Sequence, residues 1–493
     1  MTRYRSRPSL ALLLALACAG AAHARAKLPA QLEQDALAAG RVRVIVQLAP
    51  AAARWQRRAR QDAALARTAA RASDVRRYTH FDAVALEASA AELRALAAAP
   101  EVISLTSDAA LAAPTLDSTA PVIGATAVVD AGFAGTGAAI AILDTGVDRT
   151  HPFFAGRIVA EACFSANGDC PNGQTTQIGP GAGDECGFAG SCFHGTHVAG
   201  IAAGEHAIYQ GVAPGAQLVS IRIFSRFTGT DCAGTGYDPC ALAWPSDILV
   251  GLDHVLTLRA SLPLVAANMS FGSGRFTSRS SCESANPATK AALLALAAAG
   301  VAPVAASGND SFTAALNAPA CIDAAIAVGA THDDDAIWAK SNARAQLDFL
   351  APGVTVRSAA PGGGQSYSTG TSMATPQVSG ALAVLRQAAP NAPLATLVSA
   401  LQSTGRPLVD TRAGANNLVR PRIQVDAAVK SLAPAACYDA LDNDADGRAD
   451  YPADLGCANG LDASEEYAAT GCGIGPELAL ALPLLAALRR RRR

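Results

Sequence analysis

Three polar residues, each at the edge of an apolar segment, could together activate a nucleophile. Asp144 ends an apolar run, His194 opens a glycine-containing segment, and Ser372 precedes apolar residues at helical spacing. A serine hydroxyl has a pKa far above neutrality, so it needs a neighbouring imidazole to take its proton. That imidazole needs a carboxylate to fix its tautomer and to stabilise its charge. The three residue types therefore predict acyl-transfer chemistry at one shared site.

The segments around these residues indicate how the side chains are positioned. Residues 138–143 predict a short buried strand, which puts Asp144 at the carboxyl end of a parallel strand, where α/β sheets hold their sites. Helices are predicted to begin at His194 and at Ser372. A serine at a helix N-terminus points its own N–H outward, and the helix dipole stabilises negative charge there.

A fourth segment adds a hydrogen-bond donor. Residues 301–306 predict a strand that ends shortly before Asn309. We expect the Asn309 amide to donate to the oxyanion of a tetrahedral intermediate together with the Ser372 N–H. In the simpler alternatives, Asn309 is only a turn residue and Asp144 only a cap. His194 and His197 could also form a metal pair, but no HExxH arrangement supports it.

The chain order Asp, His, Ser is that of subtilisin-type enzymes. The chain resembles the subtilases, the subtilisin-like serine protease family, in segments 144–146, 194–200, 268–272, 307–309 and 370–376. The resemblance implies a catalytic triad of Asp144, His194 and Ser372, with Asn309 in the oxyanion hole. It also implies that Ser270, Phe271 and Gly272 form an edge. This edge pairs with the substrate backbone and borders the primary specificity pocket.

Composition limits the class of protein. The 493 residues exceed one ordinary domain, and 50% of them are hydrophobic while 16% are charged, which is ample for a large core. A formal net charge of −2 gives no basic stripe for nucleic acid, so no nucleic-acid partner is expected.

The first residues predict export. Residues 1–24 combine early arginines, an apolar run and an Ala22-His23-Ala24 cleavage pattern, as in a signal peptide. A lipoprotein acylated at Cys18 is the alternative, although Ala15 stands where Leu is usual. Either way the protein is expected to be secreted or on the cell surface, where disulfides form.

Eight cysteines lie between residues 163 and 321, and they allow 105 pairings. Closure of the shortest loops favours Cys163–Cys170, Cys186–Cys192 and Cys232–Cys240, which leaves Cys282–Cys321. Zinc is the rival interpretation, but no CxxC pair occurs.

Residues 25–113 predict a small two-layer domain. Strands at 41–48, 81–86 and 102–105 alternate with helices at 54–77 and 90–98. This pattern resembles the inhibitory propeptide of subtilases, which implies that the chain's own propeptide is a partner of the site until it is cleaved. Permanent attachment of the domain is the alternative, although the exposed Pro-containing stretch 112–117 favours cleavage.

Residues 114–432 predict the catalytic domain. Strands at 218–224, 264–268, 301–306 and 324–328 alternate with helices at 246–259, 289–299 and 372–387. The predicted fold is α/β, a doubly wound, mostly parallel, subtilisin-like sheet preceded by the small α+β propeptide domain. The Cys-rich stretch between Asp144 and His194 is expected to be a surface excursion of the chain near the site, cross-linked by disulfides.

Residues 433–470 are rich in aspartate. The run 442–447 has oxygens at alternating positions and glycine at the sixth, as in a calcium loop, and its ligands would be Asp442, Asp444, Asp446 and Asp450. Ala453 stands where an EF-hand needs Glu. The segment therefore predicts a smaller structural calcium turn closed by Cys437–Cys457, with a solvated acidic turn as the alternative.

Residues 471–493 combine Gly471-Cys472-Gly473, an apolar run and five arginines. The order resembles bacterial C-terminal sorting signals, which implies transient membrane contact and an attachment point at Cys472. A simple anchor is the alternative.

Altogether the sequence predicts a secreted or surface-attached serine endopeptidase acting on proteins or peptides. The alternative function is a calcium-dependent surface binding protein with a degenerate protease fold, which the four filled site positions disfavour.

Overall fold

In a computed structural model the chain forms two compact units, Met1–Pro114 and Thr115–Arg493. The described residues are 28–51, 53–70, 75–77, 82–107, 119–206, 209–432, 435–443, 448–454, 457 and 459–465. The predicted signal at 1–24, the cleavage stretch at 112–117 and the sorting tail at 471–493 lie outside these ranges. Within them, no helix has the length and apolar character that a membrane span requires.

The first unit packs helices on an antiparallel sheet. In chain order its elements are α1 (Ala30–Ala39), β1 (Val42–Leu48), α2 (Arg54–Leu65), β2 (Arg76–Arg77), β3 (Ala83–Ala88), α3 (Ala90–Ala97) and β4 (Val102–Ser107). The strand order is β2-β3-β1-β4. Leu32, Leu93 and Leu96 from the helices join the buried strand residues in one core. The expected strands and the helix after Ala90 are confirmed.

The helix expected over 54–77 is shorter than its composition suggests. It ends at Leu65, and Arg76 and Arg77 instead pair with Ala85 and Val84 of β3. Strand pairing satisfies backbone groups of Arg76 and Arg77, and this tertiary contact overrides the helix propensity of an Ala- and Arg-rich sequence.

The second unit alternates strands and helices. Its helices are α4 (Thr119–Val122), α5 (Ala125–Asp130), α6 (His194–Ala203), α7 (Pro245–Arg259), α8 (Arg279–Ala285), α9 (Pro287–Ala298), α10 (Thr371–Ala388), α11 (Leu394–Thr404) and α12 (Val425–Ser431). Short 3₁₀ turns lie at Pro152–Phe154, Gly229–Cys232 and Ala436–Tyr438.

Ten strands of this unit form one sheet: β5 (Ala139–Asp144), β6 (Ile158–Phe164), β7 (Thr176–Ile178), β10 (Gln217–Arg222), β13 (Leu264–Met269), β15 (Ala302–Ala306), β17 (Ile326–Thr331), β18 (Phe349–Pro352), β21 (Arg406–Asp410) and β22 (Leu418–Arg422). The remaining strands form two-stranded pairs: β8 (Glu205–His206) with β9 (Tyr209–Gln210), β11 (Ser225–Phe227) with β12 (Cys240–Leu242), β14 (Ser273–Phe276) with β16 (Leu316–Ala318), and β19 (Val356–Ala360) with β20 (Gly364–Ser368).

The large sheet has the order β21-β22-β18-β17-β15-β13-β5-β10-β6-β7. The run from β22 to β6 is parallel, and β21 and β7 are antiparallel edge strands. The predicted doubly wound, mostly parallel α/β fold is therefore confirmed. Parallel neighbours bring the carboxyl ends of β5, β13 and β15 to one edge, where α/β folds hold their sites.

The core lies on both faces of this sheet. Alternate residues of β5 enter different clusters: Ile140 and Ile142 pack with α6, α10 and α11, whereas Ala141 and Leu143 pack with α7 and α9. A strand that is covered on both faces reads as a continuous apolar run, which is why the sequence identified β5 so clearly.

The stretch between Asp144 and His194 is only partly a surface excursion. Residues 158–164 form β6, which pairs with β10 inside the sheet and buries Ala162 and Cys163 fully. The expectation of a surface excursion was therefore wrong for these residues. The short run Ile158–Phe164 includes a polar Glu161 that interrupts the apolar pattern, and this interruption hid the strand.

The ten cysteines from Cys163 to Cys457 pair as the sequence favoured: Cys163–Cys170, Cys186–Cys192, Cys232–Cys240, Cys282–Cys321 and Cys437–Cys457. The aspartate-rich segment belongs to the second unit and packs against its residues 131–133. Gly460 donates its N–H to the Ala131 carbonyl at 2.9 Å, and the Tyr438 ring lies 5.4 Å from that of Phe133.

Candidate active site

The acid and the base predicted from the sequence meet at the end of β5. The Asp144 side chain is fully buried, and its Oδ1 lies 2.8 Å from His194 Nδ1. The same oxygen accepts the Thr145 backbone N–H at 2.8 Å. The His194 side chain is 23% exposed, so one edge of the ring reaches solvent while the other contacts the carboxylate.

The charge of Asp144 controls the protonation of His194. Burial lowers the pKa of His194, but the attraction of the Asp144 carboxylate and the hydrogen bond to it raise the pKa above its ordinary value of 6.5. An imidazole whose Nδ1–H is held by a carboxylate presents a basic Nε2 on its other side.

Helix α6 approaches β5 very closely where it begins. A Cβ on Gly195 would lie 2.2 Å from the Gly146 carbonyl oxygen and 3.2 Å from Asp144 Cβ. Only glycine allows this approach, and the approach brings the His194 ring within hydrogen-bond distance of Asp144.

Ser372 lies in the first turn of α10, as predicted. Its hydroxyl donates to the Ser270 carbonyl at 3.0 Å, and this carbonyl is its hydrogen-bond partner among the described residues. In return, the Ser270 hydroxyl donates to the Ser372 carbonyl at 2.9 Å, and Asn268 Nδ2 donates to the Ser270 hydroxyl at 2.9 Å. The nucleophile candidate therefore rests on a buried polar network that joins α10 to the end of β13.

The Asn309 amide is oriented by the residue before Ser372. Asn309 Oδ1 accepts the Thr371 N–H and the Thr371 hydroxyl, each at 2.9 Å. Because this oxygen accepts from two donors, the hydrogen-bond network assigns Nδ2 to the opposite side of the amide. There Nδ2 can donate to a group other than Thr371. Sequence reasoning did not give Thr371 this role, although the residue stands in the motif around Ser372.

A cavity of about 750 Å³ joins these groups. Its wall contains His194, Ser372, Asn309 and the predicted substrate edge Ser270, Phe271 and Gly272. The Phe271 ring packs edge-on against Phe224 with centroids 6.0 Å apart, and a second apolar cavity of about 320 Å³ shares both rings. All seven predicted catalytic, oxyanion and substrate-edge residues except Asp144 therefore line one opening, and Asp144 lies behind His194.

Two nearby groups were not assigned chemistry by the sequence. His197 is fully buried; burial and repulsion from His194 lower its pKa to about 4, and its Nε2 contacts the Ser366 carbonyl at 3.1 Å. Its ring is therefore neutral near pH 7, and the Ser366 carbonyl fixes its orientation. Burial and repulsion from Asp148 raise the pKa of Glu185 to about 7 beside Thr196 of α6.

The predicted calcium ligands are only partly described. Asp444 and Asp446 lie outside the described residues, and Asp442 is exposed. Asp450 is buried and accepts the Ala440 N–H at 3.0 Å. Sequence reasoning missed two buried acids, Asp454 and Glu465, whose carboxylate oxygens lie within 4.8 Å of each other.

Known proteins share this arrangement of segments. The model of the subtilase family matches residues 135–420. The chain is 34% identical over 297 residues to alkaline serine exoprotease A of Vibrio alginolyticus, covering 59% of this chain and 46% of that protein. It is also 34% identical over 290 residues to subtilisin BL of Lederbergia lenta, covering 58% and 90%.

A solved protease structure from Pseudoalteromonas arctica PAMC 21717 agrees in fold, with a TM-score of 0.52 and 24% identity over 65% of this chain and 98% of that one. The chain spans less than half the length of the Vibrio relative, 46%. The family model covers more than half of the present chain and includes every element that carries the site. This chain belongs to the subtilase family.

Proposed function

We propose that this chain is a serine endopeptidase that hydrolyses peptide bonds through an acyl-enzyme. The observation that carries the proposal is the Asp144–His194 hydrogen bond of 2.8 Å at the rim of a cavity that also holds Ser372 and Asn309. An oriented base, a hydroxyl and an amide donor on one wall are the parts that acyl transfer requires.

The first step is attack of Ser372 Oγ on the scissile carbonyl. The hydroxyl must leave the Ser270 carbonyl by a χ1 rotation and give its proton to His194 Nε2. Resting geometries of this kind are common, because catalytic hydrogen bonds tighten when substrate binds. The resulting imidazolium is stabilised by the buried Asp144 carboxylate.

The tetrahedral intermediate carries a negative oxygen. Asn309 Nδ2 and the Ser372 backbone N–H are the donors for this oxygen, and the N-terminal end of α10 adds the positive end of a helix dipole. His194 then protonates the leaving amine, and a water molecule activated by the same ring hydrolyses the ester.

We propose that the site matures by export and processing. Residues 1–24 would direct secretion, residues 25–113 would act as an inhibitory propeptide, and 471–493 would serve as a sorting tail with transient membrane contact. The compact first unit supports the propeptide assignment, because its own core permits it to fold as a separate domain. The substrates are proteins or peptides, in keeping with the proteases that this chain resembles.

Structural calcium is proposed for the aspartate-rich segment. Two buried carboxylates, Asp454 and Glu465, have oxygens within 4.8 Å of each other, and such oxygens are the donors that this hard cation prefers. Asp450, a predicted ligand, instead pairs with Lys430 at 3.3 Å. Cys457 lies in the same cluster, but its sulfur is bonded to Cys437 and is no thiolate ligand. When bound, calcium would neutralise these acids and stabilise the fold of this segment.

Hydrolysis of casein and of a fluorogenic peptide by purified protein tests the proposed function. The parent protein is expected to cleave both substrates, and Ser372→Ala is expected to lose about six orders of magnitude in kcat, the loss known for the subtilisin nucleophile. Ser280→Ala, at an exposed serine of α8, is the matched control and should retain parental activity. Equal rates for the parent and Ser372→Ala would refute the mechanism.

A further inference from the structure

We propose that Thr145 is a positioning residue that ties Asp144 to the start of helix α6, and that the Cys186–Cys192 loop braces it. The inference rests on the proposed function, because the two groups that Thr145 connects are the acid and the base of that mechanism. Thr145 is 2% exposed and lies in the wall of the substrate cavity, but its hydroxyl points into the protein, toward Cys192 and Gly195.

Every polar group of Thr145 has a partner that bears on the site. Its backbone N–H donates to Asp144 Oδ1 at 2.8 Å, which holds the carboxylate that His194 also contacts. Its hydroxyl accepts the Gly195 N–H at 2.9 Å. The residue therefore connects the acid to the backbone that follows the base.

Helix α6 needs this hydroxyl. The first N–H groups of a helix have no partner within the helix, and a polar side chain at the N-cap normally supplies one. The N-cap of α6 is Phe193, which makes no side-chain cap. The Thr145 hydroxyl, which lies in the loop after β5, takes the place of the missing cap. The same hydrogen bond therefore stabilises the start of α6 and fixes the distance between α6 and β5.

The Cys186–Cys192 loop holds Thr145 from the other side. The Thr145 hydroxyl donates to the Cys192 carbonyl at 2.8 Å, and the Cys186 N–H donates to the Thr145 carbonyl at 2.9 Å. The disulfide joins the two residues that make these contacts and ends two positions before His194. A cross-link that closes a short loop limits its alternative conformations, so both contacts are kept together.

Replacing Thr145 should therefore change the pKa of His194, an effect that replacing a mere packing residue would not have. Loss of the hydroxyl leaves the buried Gly195 N–H and the Cys192 carbonyl without this partner, and the start of α6 relaxes away from β5. The Asp144–His194 contact then lengthens, and the carboxylate raises the His194 pKa less than before. A merely structural role would lower the amount of folded protein without changing the pKa of His194 in the protein that remains folded.

The test measures the His194 pKa by NMR in the full chain that carries Ser372→Ala, which prevents self-cleavage. The His194 ring signal is identified by its loss in His194→Ala and is distinct from His197, whose pKa is about 4. We expect Thr145→Val to lower the His194 pKa by about one unit and Thr145→Ser to restore the parental value. An unchanged pKa in Thr145→Val would overturn the proposal.

If Thr145→Val fails to fold, the double variant Cys186→Ser/Cys192→Ser tests the brace from outside the site. It is expected to lower the His194 pKa in the same direction, and the parental pKa in this variant would overturn the role of the loop. In the active background, Thr145→Val is expected to reduce kcat about 100-fold with KM within about twofold. The NMR measurement of the pKa does not depend on hydrolysis. A parent protein that cleaves no peptide would therefore refute the proposed function, while the measured pKa of His194 would still test whether Thr145 and the Cys186–Cys192 loop hold it in place.

Discussion

The close approach of α6 to β5 gives a prediction whose size follows from distances in the structure. In Gly195→Ala the new Cβ would lie 2.2 Å from the Gly146 carbonyl oxygen, whereas ordinary contacts of a Cβ begin near 3.4 Å. The obstacle is the backbone carbonyl of Gly146, in the loop that follows β5, so it cannot rotate away as a side chain would. The start of α6 must therefore move by about 1 Å or more.

Such a displacement is larger than the active site tolerates. The His194 Nδ1–Asp144 Oδ1 distance is 2.8 Å, and an increase of about 1 Å takes it beyond hydrogen-bond range. Misplacement of a catalytic group by about 1 Å costs about 100-fold in rate. Overpacking should also lower the free energy of unfolding by about 1–3 kcal/mol, partly offset by about 1 kcal/mol from the better helix propensity of alanine.

The assay is kcat on a fluorogenic peptide, normalised to active sites by burst titration, together with thermal unfolding. Gly187→Ala is the matched control, because it lies in the loop next to α6 and its Cβ would meet no atom within 4 Å. We expect the control to keep parental kcat and Gly195→Ala to lose about 100-fold per folded molecule. A Gly195→Ala protein with at least half of the parental kcat would show that close packing at Gly195 does not set the Asp144–His194 geometry.

Three other predictions concern the oxyanion donor, the base and the ion. Asn309→Ala removes the amide that Thr371 orients, so kcat should fall about 10²–10³-fold with little change in KM; an unchanged kcat would exclude Asn309 as an oxyanion donor. Because His194 must be neutral to act as a base and Asp144 raises its pKa, kcat/KM should fall as the pH decreases, with a midpoint above 6.5; a midpoint at or below 6.5 would contradict the Asp144 effect. Chelation of calcium with EDTA should lower the melting temperature of the parent protein. The decrease should be equivalent to about 2.7 kcal/mol if calcium is present at 100 times its dissociation constant, and Glu465→Gln should show little further decrease. An equal effect of EDTA on both proteins would place any ion elsewhere.

The sequence predicted the elements that carry the site because their patterns are unambiguous. The short apolar run before Asp144, with Gly146 just after it, favoured a strand covered on both faces, and the small residues after His194 fitted a closely packed helix. The strands β6 and β18 were missed. Glu161 interrupts the apolar pattern of β6, and β18 has only four residues and ends in proline, so neither strand has a clear period of its own.

The finer geometry of the site could not be predicted from residue order. The Ser372 hydroxyl donates to Ser270, and its choice of acceptor depends on a rotation about a single bond in a pocket formed by distant segments. The cap that Thr145 supplies to α6 joins residues 50 positions apart, so no local capping pattern reveals it. The motif Asp144-Thr145-Gly146 marked the place, but only the fold showed what the threonine contacts.

Covalent labelling tests whether Ser372 is a nucleophile that His194 activates. Purified protein from which residues 25–113 have been removed would be treated with a fluorophosphonate and its peptides analysed by mass spectrometry. We expect one adduct, on Ser372, and its loss in His194→Ala. A folded, processed protein that carries no adduct on Ser372, or that is labelled there equally well without His194, would contradict it.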